Sequence, residues 1–234
     1  MSPTAVSTRV VLDPRFNGPP ATANGGYACG VVARHVDGPA HVSLRRPVPL
    51  GTPLELERHD DGHVTLHDGD ALIAEADPAL PLDGLEPPYR PTPEEAREAA
   101  ASRPRAWPEA FDTGWVCSPR EDGLGVIFGP LRERPDMTGA VLHAGAAETL
   151  APEMVWAALD CPSYTPSLWR NETPSLLASM RAEILAPVPA GKSLVVAGWT
   201  LGSDGRKHRS ATAILAPDGR VLARAEALWI RSRG

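Results

Sequence analysis

Two short strings in this 234-residue chain carry residue types able to act on an activated carbonyl. The first is Asn24-Gly25-Gly26-Tyr27, which opens an apolar run through Val36. A helix starting there offers backbone N–H groups and the favourable end of its dipole, and the two glycines let a carbonyl approach closely. The Gly26 and Tyr27 N–H groups are therefore candidate donors to an oxyanion, with Asn24 as cap or second donor. The same string also reads as an ordinary cap and turn. The second string is Trp156-Ala157-Ala158-Leu159-Asp160, in which Trp156 and Asp160 share a helical face. A carboxylate among apolar neighbours at a helix C-terminus has its pKa raised, which suits a general base. The competing role for Asp160 is to close the helix on loop N–H groups. Glu226, on an alternating stretch, either orients water or faces solvent.

The elements that must position these residues are legible from periodicity. Val6–Leu12 reads as an opening strand, and Gly25–Val36 as a helix that is apolar on most sides and so enclosed. Gly30 inside it implies close approach of another backbone. Strands are expected at 40–46, 53–59, 63–67 and 71–77. In the second half they are expected at 125–129, 139–143, 176–185, 193–201, 208–215 and 221–231, with a helix over Pro152–Asp160. Seven Asp-Gly dipeptides favour antiparallel hairpins. The eight residues from Pro47 to Leu54 match those from Pro187 to Leu194 at five positions, so an αβ unit has been duplicated. Two copies are too few for a solenoid and must close on each other, which puts a cleft between them. The divisions are residues 1–80, a proline-rich connector over 81–120 with a helix near Glu94–Ala101, and residues 121–234.

Composition narrows the partners. A net charge of −6 argues against nucleic acid, although Arg45, Arg46, Arg181, Arg206, Arg209 and Arg231 can form a local basic patch. No apolar run is long enough for a membrane span, and no signal peptide is evident. Cys29, Cys117 and Cys161 lack metal or disulfide spacing and read as free thiols, which places the chain in a reducing cytoplasm. Its Arg/Ala/Pro/Gly-heavy usage points to a GC-rich bacterial genome. His59, His63 and His67 are spaced for a helix, but Asp60-Asp61-Gly62 breaks one, so no metal is expected. The glycines from Gly123 to Gly129 miss dinucleotide spacing, and no Gly-x-Ser-x-Gly occurs. Cys161 beside Asp160 is a possible nucleophile or a buried thiol.

A duplicated strand, helix and meander, an α+β arrangement, resembles the double hotdog fold, with two antiparallel sheets each wrapped around a central helix. Asn24-Gly25-Gly26-Tyr27 is similar to the His/Asn-Gly-Gly opening of hotdog helices. Val155-Trp-Ala-Ala-Leu-Asp160-Cys-Pro162 and the last strand around Glu226 resemble acyl-CoA thioesterase II-like and PaaI-like thioesterases. The resemblance implies hydrolysis of acyl-CoA thioesters with no cofactor beyond the CoA of the substrate, and by analogy a homodimer. It implies catalytic Asp160, Asn24, Gly26 and Glu226, and substrate contacts from Gly25, Tyr27, Trp156 and Ser179. Glu226 stands where the thioesterase II group carries glutamine, and Ser175 and Ser179 are the candidates for its Ser/Thr. Two other readings stay open: a hydratase or dehydratase pairing His143 with Asp160, and a non-catalytic acyl-thioester binder.

Overall fold

The computed structural model describes residues 6–19, 21–103, 113–143, 148–169, 173–190 and 193–233. Pro104 and Pro108 of the connector, and Gly191 and Lys192 of the second repeat, lie outside them.

The first half runs β1 (Val6–Val11), α1 (Gly25–Ala33), β2 (Ala40–Leu44), β3 (Pro53–Arg58), β4 (Val64–Asp68) and β5 (Ala71–Pro78). The connector holds α2 (Pro93–Ala101). The second half follows as β6 (Phe128–Pro130), β7 (Met137–Leu142), α3 (Pro152–Asp160), the short α4 (Pro166–Trp169), β8 (Ser175–Ile184), β9 (Leu194–Asp204), β10 (Lys207–Leu215) and β11 (Val221–Arg231). The Asp-Gly turns close antiparallel pairs, with Gly62, Gly69 and Gly205 at the positive φ that such turns require.

The expectation of two sheets is corrected: one antiparallel sheet of 11 strands runs β1-β3-β4-β5-β2-β8-β11-β10-β9-β7-β6. The halves fuse because β2 pairs with β8 from Ala40↔Ala182 to Ser43↔Ser179. The duplication remains visible in the order, since β2-β5-β4-β3-β1 is mirrored by β8-β11-β10-β9-β7. It is visible also in single hydrogen bonds. The N–H groups of Arg45 and Arg46 both reach the Ile73 carbonyl, and those of Leu185 and Ala186 both reach the Leu222 carbonyl. Ala23 N–H donates to Val48 as Leu150 N–H donates to Val188.

Helices α1 and α3 are not wrapped separately. They pack against each other on one face of the sheet, within one apolar core. Eight of the nine α1 residues are buried, which accounts for its apolar character on all sides. Their antiparallel contact depends on Gly26 and Gly30, one helical turn apart. A Cβ on Gly26 would lie 2.4 Å from Asp160 Cβ, and one on Gly30 would lie 2.5 Å from Glu153 Cα. The N-terminus of α1 is thereby pressed onto the C-terminus of α3. Helix α2, closed by a Thr92–Glu95 capping box, covers the opposite sheet face over a second cluster that includes Met137, Val195, Trp199 and Leu215. Among the described residues, no helix is long and apolar enough to cross a membrane.

Candidate active site at the helix junction

Asn24 caps α1: its Oδ1 accepts from Tyr27 N–H at 2.9 Å. Its Nδ2 donates at 3.0 Å to Oδ2 of Asp160, the last residue of α3. The same oxygen accepts from Gly26 N–H at 2.8 Å. Asp160 is only 3% exposed and Asn24 5%. Burial raises the Asp160 pKa from 3.8 to about 6, and the bonds from Gly26 and Asn24 hold it back from rising further. Its Oδ1 has no hydrogen-bond partner among the described residues.

The end of α3 is fixed from the sheet. Thr212 Oγ1 donates to the Leu159 carbonyl at 2.8 Å, and Thr138 Oγ1 to the Pro162 carbonyl at 2.6 Å. Gly198 makes room for that carbonyl, since a Cβ there would lie 2.1 Å from it. Trp229 Nε1 donates to Ser163 Oγ at 2.8 Å. None of these four positions stands out in the sequence, because strand alternation marks a buried face but not which carbonyl it meets.

A cavity of about 450 Å³ opens beside this junction, at the seam between the halves. Leu44 comes from the first half, Leu177 and Trp229 from the second, and Val116 and Cys117 from the returning connector. Asn24, Gly25 and Asp160 all line it. Among the described residues Asp160 is its one acidic lining residue, whereas Arg45, Arg46, Arg206 and Arg231 surround it. Arg45 is paired with Glu75, and Arg206 donates to the Arg231 carbonyl at 2.8 Å. The local basic patch thus forms on an acidic protein, from four of the six arginines considered for it.

Other expected site residues are placed differently. The Gly26 and Tyr27 N–H groups are committed to Asp160 and Asn24, so neither is free to hold an oxyanion. The first-turn N–H of Gly25, which lines the cavity, has no partner among the described residues. The Tyr27 ring stacks on Phe16 at 4.0 Å and meets Trp115 edge-on, which makes it part of the core. Trp156 packs behind the junction against Gly30 and does not line the cavity. Glu226 alternates with the core-facing Ala225 and Ala227, so it lies on the other sheet face, paired with Arg181 and Arg209. Ser179 is turned the same way by its neighbour Met180, and Ser175 also stands off the cavity. His143 is exposed and not among the lining residues, which removes the histidine from the hydratase reading. His63 belongs to the β3–β4 hairpin, where its Nδ1 sits 2.7 Å from Asp77 Oδ1.

The sequence matches no protein-family model, and no curated protein matches it either. Solved structures are similar over nearly the whole chain. A provisionally assigned thioesterase from Novosphingobium aromaticivorans superposes with a TM-score of 0.65 at 13% identity, covering 97% of this chain and 96% of its own. The acyl-CoA thioesterase II TesB2 from Mycobacterium marinum gives 0.60 at 14% identity, covering 97% and 93%. A hot dog fold protein of unknown function from Alicyclobacillus acidocaldarius gives 0.56 at 10%, covering 98% and 94%. At these identities the likeness establishes the fold, a doubled hotdog of the α+β class.

Proposed function

We propose that this protein hydrolyses acyl-CoA thioesters, with Asp160 as the general base. One observation carries the reading: a buried carboxylate with one oxygen held by Gly26 N–H and Asn24, beside a cavity whose other charged lining residues, among those described, are arginines. A pKa of about 6 leaves Asp160 ionised yet basic near neutral pH. The similarity in fold to structures described as thioesterases supports the same substrate class.

In this mechanism the thioester carbonyl oxygen accepts from Gly25 N–H at the positive end of α1. Asp160 Oδ1 takes a proton from water as its oxygen bonds to the carbonyl carbon. The tetrahedral intermediate collapses, the C–S bond breaks, and Asp160 returns the proton to the departing thiolate. Arg46 and Arg206, both exposed at the cavity mouth, suit the phosphates of CoA. Acyl-chain length is left to the apolar lining, where Leu177 and Trp229 stand.

The test is loss of thioester absorbance over short, long and aromatic acyl-CoA substrates, with Asp160→Asn beside the wild type. Turnover by the wild type that collapses in D160N is expected. No turnover of any substrate would favour a binding protein, and equal rates in D160N would reject Asp160 as base.

A further inference from the structure

Three thiols occur in the chain, and they are not equivalent. Cys29 is buried inside α1 and does not line the cavity. Cys117, on the returning connector, and Cys161, the residue after Asp160, both line it. Cys161 is partly exposed there, Cys117 is buried, and each thiol shifts the ionisation of the other. Asn24 Nδ2, which holds Asp160, also lies 3.9 Å from Cys161 Sγ. Arg103 reaches the same corner, donating to the Cys117 carbonyl at 2.6 Å.

We propose that Cys117 and Cys161 form a peroxide-reactive dithiol in the cavity wall, whose closure to a disulfide disables the neighbouring site. The two thiols come from separate segments and share one cavity wall, where a small oxidant can enter. The neighbouring Cys161 thiol and the Arg103 guanidinium draw the Cys117 thiol below its usual pKa, while Cys117 itself, then burial and Asp160, push Cys161 up. Cys117 is therefore the attacking thiolate. Its sulfur bonds to one peroxide oxygen as the O–O bond breaks and hydroxide leaves, giving a sulfenic acid. The Cys161 thiol, losing its proton, then attacks that sulfur; the S–S bond forms, the S–O bond breaks, and hydroxide departs. In sum two thiols are oxidised and one hydrogen peroxide is reduced to two waters. The crosslink draws the residue next to Asp160 toward the connector and away from Asn24, displacing the carboxylate from its two donors.

The experiment treats the full-length protein with hydrogen peroxide, alkylates the remaining thiols in denaturant and maps the peptides by mass. The expected product has lost two hydrogens, contains a Cys117–Cys161 crosslinked peptide with Cys29 alkylated, and reverts with dithiothreitol. Cys117→Ser and Cys161→Ser abolish the crosslink, and Cys29→Ser keeps it. Oxygen added to a single sulfur, a crosslink through Cys29, or no reaction overturns the proposal. The inhibitory half rests on the thioesterase reading: hydrolysis is expected to fall at least tenfold with crosslinking and to recover on reduction. A crosslink with unchanged hydrolysis would overturn the switch and leave the thioesterase intact. If the untreated protein hydrolyses nothing, that reading fails while the mass map still judges the dithiol.

Discussion

The duplication produces two helix junctions, and only one is equipped for chemistry. At the first, the N-terminus of α1 meets the C-terminus of α3, bringing Asn24, Gly25 and Gly26 to Asp160. At the second, the N-terminus of α3 meets the C-terminus of α1. Asn24 has its counterpart in Ala151, which makes no side-chain cap bond, and Gly25 in Pro152, which has no N–H to offer. Asp160 has its counterpart in Ala33, the last residue of α1. Where Arg45 and Arg46 flank the first cavity, Leu185 and Ala186 flank an apolar hollow of about 350 Å³. Among the described residues the only charged contact there is Arg34 to Glu153 at 3.9 Å, with Arg34 largely exposed. The backbone is copied to the level of single hydrogen bonds, so a few side chains decide which junction can bind and activate a polar group.

The largest test of this contrast is Asp160→Asn. In its proposed role as general base it would account for about 10³-fold in rate, which the D160N steady-state rate should lose. The same change should make the fold more stable at neutral pH. Because the folded pKa is raised from 3.8 to about 6, the folded protein holds this proton more tightly than the unfolded chain does. That stability is full below the unfolded value and is lost as pH rises from about 4 through about 6. D160N does not titrate there. Its urea-unfolding advantage should therefore grow across that window, to at most about 3 kcal/mol. An inactive D160N that is also unstable at pH 8 would make Asp160 structural.

Next in size is Asn24→Ala, which removes both the helix cap and one donor to Asp160. A loss of about 1–2 kcal/mol in unfolding free energy is expected. With one fewer bond to its charged form, Asp160 should titrate higher. The rise in kcat/KM with pH that is expected of the wild type, centred at about 6, should then move upward, and a full pH profile of both proteins reads it. An unmoved profile would detach Asn24 from the carboxylate.

Ala151→Asn carries the cap of the first junction to the second. It should stabilise the fold by about 1 kcal/mol without adding activity, measured by urea denaturation and turnover. Smallest of all, Ser179→Ala should leave kcat/KM within about twofold of wild type, since its side chain lies on the far sheet face. A larger loss would return the cavity to that face.

What sequence alone determined was local. Strand alternation and Asp-Gly turns place most strands within a residue or two, and α3 runs over the expected Pro152–Asp160. The misses are also local in cause. Helix α1 ends at Ala33, not Val36, because its last turn tightens, with His35 and Val36 N–H bonding three residues back. The strand expected from Gly125 begins only at Phe128, since Gly125 takes a φ of +69°. That the glycine-rich start of α1 and Asp160 share one site was suggested by the resemblance to thioesterases and by the duplication, not by spacing.

Tertiary structure decided the rest. One sheet or two depended on whether β2 and β8 would pair edge to edge, and both have the same alternating pattern in either case. The commitment of Gly26 N–H to Asp160, the outward turn of Glu226, and the placing of Cys117 and Cys161 in one cavity wall all depend on contacts between segments far apart in the chain. Periodicity says which side of a strand or helix is buried, but only packing says what it is buried against.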